Sequence, residues 1–229
     1  MPFLHRGLFL TLMAMVAATQ AAVITEPTRV YTVGYTLNDL EDPPAFFVET
    51  ISDSSILQLT EVQVGLHLVG ATVGGGFAGE IFVSLTKDLG VSAVLLNRVG
   101  VTSTDAVGFS YDGWDVVFRD AAAFGDIHEA ELPLGVLSGE WEPDGRLDGT
   151  TGARPGMLQL FVGQAGNGEW SLNVADLDLG GMMRLESWSL TLTGSTVPEA
   201  RGLGGVGVGV LACGWRWWVS RRRTRKVVG

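Results

Sequence analysis

The chain has 229 residues, among them 32 glycines and a single cysteine, Cys213, so no disulfide can form within one copy. Between Val23 and Pro198, 24 Asp and Glu stand against 7 Lys and Arg, a formal charge of −17, whereas residues 199–229 carry +6. A body this acidic repels nucleic-acid phosphates, which excludes nucleic acid as a partner, and it holds no thiol for catalysis.

In chain order the first element is residues 1–21. His5 and Arg6 precede the apolar run Gly7 to Ala18, and small residues finish at Thr19-Gln20-Ala21. That tripartite layout predicts a secretory signal helix, cut by signal peptidase. About 175 residues then remain before the tail, enough for one domain over 22–195 with a single core.

That body reads as strands. "RVYTVGY" and "FFVETI" come first. In "EVQVGLHLVGA", Val62, Val64, Leu66 and Leu68 oppose Glu61, Gln63, Gly65 and His67, the period-2 pattern of a half-buried strand. "EIFVSLT", "AVLLNRV" and "WDVVFRD" follow. "GMLQLFVG" and "EWSLNVAD" flank Asn167-Gly168, a pair suited to a tight hairpin turn, and should pair antiparallel. In "LESWSLTLTG", Trp188, Leu190 and Leu192 alternate with Ser and Thr. Eight to nine strands without intervening helices predict an all-β fold, a β-sandwich of the jelly-roll kind. Residues 139–156 read as the main irregular loop and the most mobile segment. Trp170 and Trp188 fall on apolar strand faces, leaving Trp114 and Trp141 as exposed.

The order of these motifs resembles the P domain that follows the catalytic domain in proprotein convertases. "NGEWSLNVAD" followed by "LESWSLTLTG" is similar to that family's closing pair of strands, and "AGEIFVSLTKDLG" to its first long strand, with Glu80 where an Asp usually sits. Over about residues 57–194 the resemblance implies a jelly-roll sandwich without catalytic residues of its own. In the family that domain stabilises an adjoining protease, for which this chain has no room.

Catalytic patterns are not evident. His128-Glu129 lacks the second histidine four positions on that a zinc protease needs, His67 sits alone on a polar strand face, and "GFSYDG" is not a nucleophile elbow. Asp105, Asp112, Asp115, Asp120 and Asp126 are the candidate ligands for a metal. Hard oxygens in loops suit calcium, although the spacing matches no EF-hand, and some P domains hold calcium structurally. The structureless alternative is a solvated acidic surface.

The tail is the sharpest signal. Leu203 to Val219 gives 17 residues that are apolar or small except Arg216, about 25 Å of helix at ~1.5 Å per residue. Arg221, Arg222, Arg223, Arg225 and Lys226 follow as a cytoplasmic stop, so residues 203–219 are expected to form a transmembrane helix with the body outside. With Val197-Pro198-Glu199 ahead of the span, residues 196–229 resemble the PEP-CTERM sorting signal of Gram-negative bacteria; Ala200 stands where the second proline usually falls. The resemblance implies an exosortase as processing partner and a destination at the cell surface or in the extracellular matrix. The sequence therefore predicts a non-enzymatic exported protein whose sandwich binds or assembles, with an extracellular polysaccharide or protein as partner. The alternatives are a carbohydrate-binding module and a membrane-anchored accessory domain of an extracellular protease.

Overall fold

In the computed structural model, residues 21–40, 43–71, 76–130, 135–147 and 151–196 are described. The signal segment 1–20, the motif Val197-Pro198-Glu199, the span 203–219 and the basic stop Arg221 to Lys226 lie outside them. Among the described residues no helix is long and apolar enough to cross a membrane.

The fold is all-β, with twelve strands among the described residues: β1 (Val23–Thr25), β2 (Arg29–Thr36), β3 (Ala45–Ile51), β4 (Gln58–Gly70), β5 (Gly76–Phe77), β6 (Ile81–Lys87), β7 (Val91–Asn97), β8 (Ser110–Tyr111), β9 (Gly113–Phe118), β10 (Val136–Trp141), β11 (Gly168–Asp176) and β12 (Met183–Ser195). The first sheet runs β1-β12-β4-β9-β10, with β2 also paired to β12; the second runs β3-β11-β6-β7; β5 and β8 form a two-stranded patch. All pairings are antiparallel except β9 with β10, which is parallel.

Alternation decides which side chains enter the core. Leu66, Leu68, Trp114, Val116, Phe118, Trp188 and Leu190 of the first sheet join Val83, Leu85, Trp170, Leu172 and Val174 of the second in one buried cluster. Two sheets, each apolar on one face, can bury those faces only against each other.

Three expectations are corrected. "GMLQLFVG" is not a strand: Leu158–Phe161 forms a 3-10 turn with Leu158 and Phe161 buried. Asp120 Oδ1 accepts the Leu158 N–H at 3.1 Å, and the buried pair recurs at three residues, not two. No hairpin forms at Asn167, whose side chain instead clips Ser54, accepting its N–H at 2.8 Å and donating to its carbonyl at 3.0 Å. β11 pairs with β3 and β6.

Second, residues 139–156 are not one irregular loop. Residues 139–141 complete β10, and Pro143 to Arg146 are buried. Third, Trp114 and Trp141 are buried like Trp170 and Trp188. Trp114 shares the inward face with Val116 and Phe118, and Trp141 lies against Phe124 with ring centroids 5.1 Å apart and donates Nε1–H to Ser138 O.

Candidate functional site

The two sides of the sandwich differ. On one side both sheet edges are covered. β10 receives the Phe124 N–H at Glu140 O, and the chain just beyond it donates Glu142 N–H to Gly125 O at 2.7 Å. The same chain then crosses to the second sheet, where Asp144 and Gly145 donate to Leu95 and Val94 carbonyls of β7 at 3.0 and 2.9 Å, and Val94 donates to Gly156 O at 2.8 Å.

On the other side β2 pairs with β12 alone and β3 with β11 alone among the described strands. Between these two edges runs a groove of about 410 Å³, lined by Val33 and Tyr35 of β2, Phe47 and Glu49 of β3, and Trp188 beneath. Tyr35 and Phe47 meet edge to face at 5.6 Å and tie the sheets together at its floor. Its rim is apolar: Phe46 is 60% exposed and Val48 50%. β3 carries no Lys, Pro or bulge, the devices that normally blunt an edge strand. The signal was present in "AFFVETI", where four consecutive apolar residues, Ala45 to Val48, leave both strand faces apolar.

The five aspartates named as calcium candidates do not form one cluster among the described residues. Asp105 Oδ1 caps its own loop, accepting N–H groups of Val107 and Gly108 at 3.0 and 3.1 Å. Asp115 stands on the outer face of β9, and Asp112 and Asp120 flank that strand's two ends, about 26 Å apart at ~3.3 Å per residue. Asp120 lies under the 3-10 turn, where burial raises its pKa against the N–H groups it accepts from Leu158 and Gln159. Asp126 is spent on Arg146 at 2.7 Å. Among the described residues no group of three or more His, Cys, Asp or Glu is placed to hold a metal ion.

Strand register sets Ser187, His67 and Asp115 side by side on β12, β4 and β9. Gly65, one step along β4, leaves a dent of about 150 Å³ beside them, because a Cβ there would lie 2.3 Å from Ser189 Oγ. The residue types are those of a hydrolase triad, but among the described residues no hydrogen bond links the three. The surrounding ladders also engage the backbone N–H groups that an oxyanion hole would require.

Two buried ionic clusters escape sequence reasoning, since their members lie far apart in the chain. His128, 4% exposed, places Nδ1 2.6 Å from Asp144 Oδ2 and Nε2 3.1 Å from Val101 O. Asp144 in turn accepts from Arg146, which also pairs with Asp126; Arg154 bonds Glu142 at 2.8 Å and the Asp144 carbonyl at 2.9 Å. Burial pulls the imidazole pKa down, but the hydrogen bond and charge of Asp144 outweigh it and leave the value raised. Glu80, 6% exposed, has no hydrogen-bond partner at Oε2. Burial first, then the charges of Asp176, Asp178 and Asp39, push its carboxyl up to about 7, with Arg98 pulling the other way.

No family model and no curated protein matches the chain. Among solved structures, it is similar to the serine protease of Aeromonas sobria in complex with its chaperone ORF2, at 16% identity and a TM-score of 0.45, over 76% of this chain and 27% of that one. The same protease solved alone gives 16% identity and a TM-score of 0.44 over 78% and 28%. The chain thus spans little more than a quarter of the length of either structure.

Proposed function

We propose that this chain is an exported, non-enzymatic protein of the cell surface or extracellular matrix, whose jelly-roll-like sandwich binds or assembles through its β2/β3 side. The observation that carries the reading is the unequal treatment of sheet edges among the described residues: two are covered by the chain itself, and two are left open around an apolar groove. An open edge offers N–H and C=O groups that recognise an extended backbone, and a groove beside it accepts alternate side chains. The occupant that fits is an extended protein segment alternating apolar and basic residues. Glu49 is the charged residue in the groove lining, and the body around it carries −17. A sugar-stacking site finds less support, since all four tryptophans of the described residues are buried.

The test is retention in the native host. A Phe46→Asp, Val48→Asp double variant is expected to be exported normally but to wash off the surface or matrix fraction, losing roughly 90% of retention, as charge on a docking rim does. Retention equal to wild type would remove the groove from the reading.

Export and sorting rest on the tail. Val197-Pro198-Glu199 precedes a short, glycine-rich span, and a proline there disfavours helix in the residue ahead, keeping the junction extended for a protease. In the proposal an exosortase cuts at this motif after the transmembrane segment has stopped in the inner membrane. Mass spectrometry of surface-localised protein is expected to find no "RRRTRKVVG" terminus. Recovery of that intact terminus would favour a permanent membrane anchor.

A further inference from the structure

We propose that His128, held as an imidazolium, is the proton-dependent pin of a strap, residues Glu142–Arg146, that covers the β7 edge of the second sheet. The argument begins with what the ring faces. Val101 O is a carbonyl that can only accept, so Nε2 carries a proton. Asp144 Oδ2, at 2.6 Å from Nδ1, belongs to a carboxylate whose other oxygen accepts from Arg146 backbone N–H and guanidinium at 3.2 Å each. With acceptors on both sides, both ring nitrogens are donors.

The charged groups around the ring come from three elements. The ring's own turn supplies Asp126 and Glu129, both beside Arg146. The strap supplies Glu142, Asp144 and Arg146, and Arg154 crosses back onto it. The segment after β7 supplies only the Val101 carbonyl. Asp144, fully buried, is the member at which these contacts converge; its own N–H and that of Gly145 bond the β7 backbone, and Asn97 Nδ2 of β7 donates to Arg146 O at 3.1 Å.

Loss of the Nδ1 proton would set a nitrogen lone pair against a buried carboxylate oxygen at hydrogen-bond distance. That contact is relieved by moving the Asp144 carboxylate, whose other oxygen is held by Arg146; in the proposal the backbone at Asp144 and Gly145 shifts with it and frees Leu95 O and Val94 O. The strap is the cover that β3 lacks, so unpinning it gives the second sheet a second open edge. Low pH keeps the strap down; raising the pH past the point where Nδ1 titrates lifts it.

The full-length chain, labelled with 15N, tests this directly. At pH 6, both His128 ring nitrogens should show protonated shifts, and as pH rises past the point where Nδ1 titrates, exchange protection of the Asp144 and Gly145 amides should fall roughly tenfold relative to Leu172 and Val174. Protection is taken after correction for the base dependence of intrinsic exchange. In His128→Gln, which cannot titrate, the two amides should be weakly protected at every pH, without a step. A neutral ring at pH 6 in the wild-type chain, or a step that survives in His128→Gln, would overturn the proposal; the first measurement needs no variant to fold.

Discussion

Replacing Trp170 by alanine is expected to destabilise the domain by about 3–5 kcal/mol, the range for removing a large buried aromatic. Trp170 is fully buried on β11, the strand flanked by β3 and β6 in the second sheet. Its Nε1–H bonds Gly166 O at 3.2 Å, Phe161 packs against it edge to face at 5.2 Å, and Lys87 Nζ lies 5.4 Å from its ring centroid. Alanine leaves a cavity, an unpaired carbonyl and a buried ammonium stripped of its ring, so the three costs add. Trp170→Phe keeps most of the volume and should cost about 1–2 kcal/mol. Urea unfolding of the two variants measures both values; a loss below about 1 kcal/mol for alanine would mean that the β11 inward face is misassigned.

The second large effect concerns pH. Stability should fall as pH rises from about 4.5 to 7, opposite to the common pattern in which acid unfolds proteins. Glu80 sets the sign. Its carboxyl is pushed up to about 7 in the folded chain, against 4.5 for an ordinary glutamate. Between those values the folded state holds a proton that the unfolded state has released. The stability present below pH 4.5 is therefore lost as pH rises, in total on the order of 3 kcal/mol at 1.36 kcal/mol per unit. His128 acts in the same direction but later: its raised value means that its contribution is complete below pH 6.5 and disappears as pH climbs through the folded value. Glu80→Gln should flatten the slope between pH 4.5 and 6.5, where His128 is silent, and leave the part of the slope above it that His128 supplies. Urea midpoints at pH 5, 6.5 and 8.5 separate the two groups. An unchanged midpoint difference between pH 5 and 6.5 in Glu80→Gln would show that Glu80 is ionised in the folded chain.

Much of the architecture was legible because burial follows the pleat. Val62, Val64, Leu66 and Leu68 alternate with polar neighbours, and β4 spans them; Trp188, Leu190 and Leu192 do the same in β12. The reading failed where short-range pattern and tertiary capture disagree. "LQLFV" alternates well enough to look like a strand, yet Asp120, 38 positions earlier, takes the Leu158 N–H and winds the segment into a 3-10 turn that leaves Leu160 and Val162 exposed. β10 was hidden because "VLSGEW" has one apolar residue facing in per pair and a glycine at its middle, Gly139 at φ 104°, where a Cβ would lie 2.5 Å from the Phe124 ring.

The candidate site was legible only in part. "AFFVETI" announced an apolar edge, but nothing in one dimension says that β2 is the other wall of its groove. The acidic residues were read as a set because they are near in sequence, and β9 then spreads them along its length and across its two ends. The His128 and Glu80 clusters carried no signal at all. His128 and Asp144 are 16 positions apart, joined by a crossover and a parallel strand whose pairing no local rule supplies.

The pairing of β12 bears on when the chain can fold. This is the final strand of the body to be synthesised, yet it lies inside the first sheet, bonded to β4 on one flank and to β1 and β2 on the other. Val23 meets Ser195, and Thr196 donates its N–H to Ala22 O at 3.2 Å, so the body's two ends emerge together. Until Ser195 has left the ribosome or a translocation channel, β4 has only β9 beside it and β1 and β2 have nothing to pair with. Contacts that bridge more than 170 residues in sequence close slowly, and the strand that seeds them arrives last. A chain built this way stays unfolded, and so threadable through a narrow pore, for almost its entire synthesis. It then completes its principal sheet in one late step, with Ala22 and Thr196 held at a single spot.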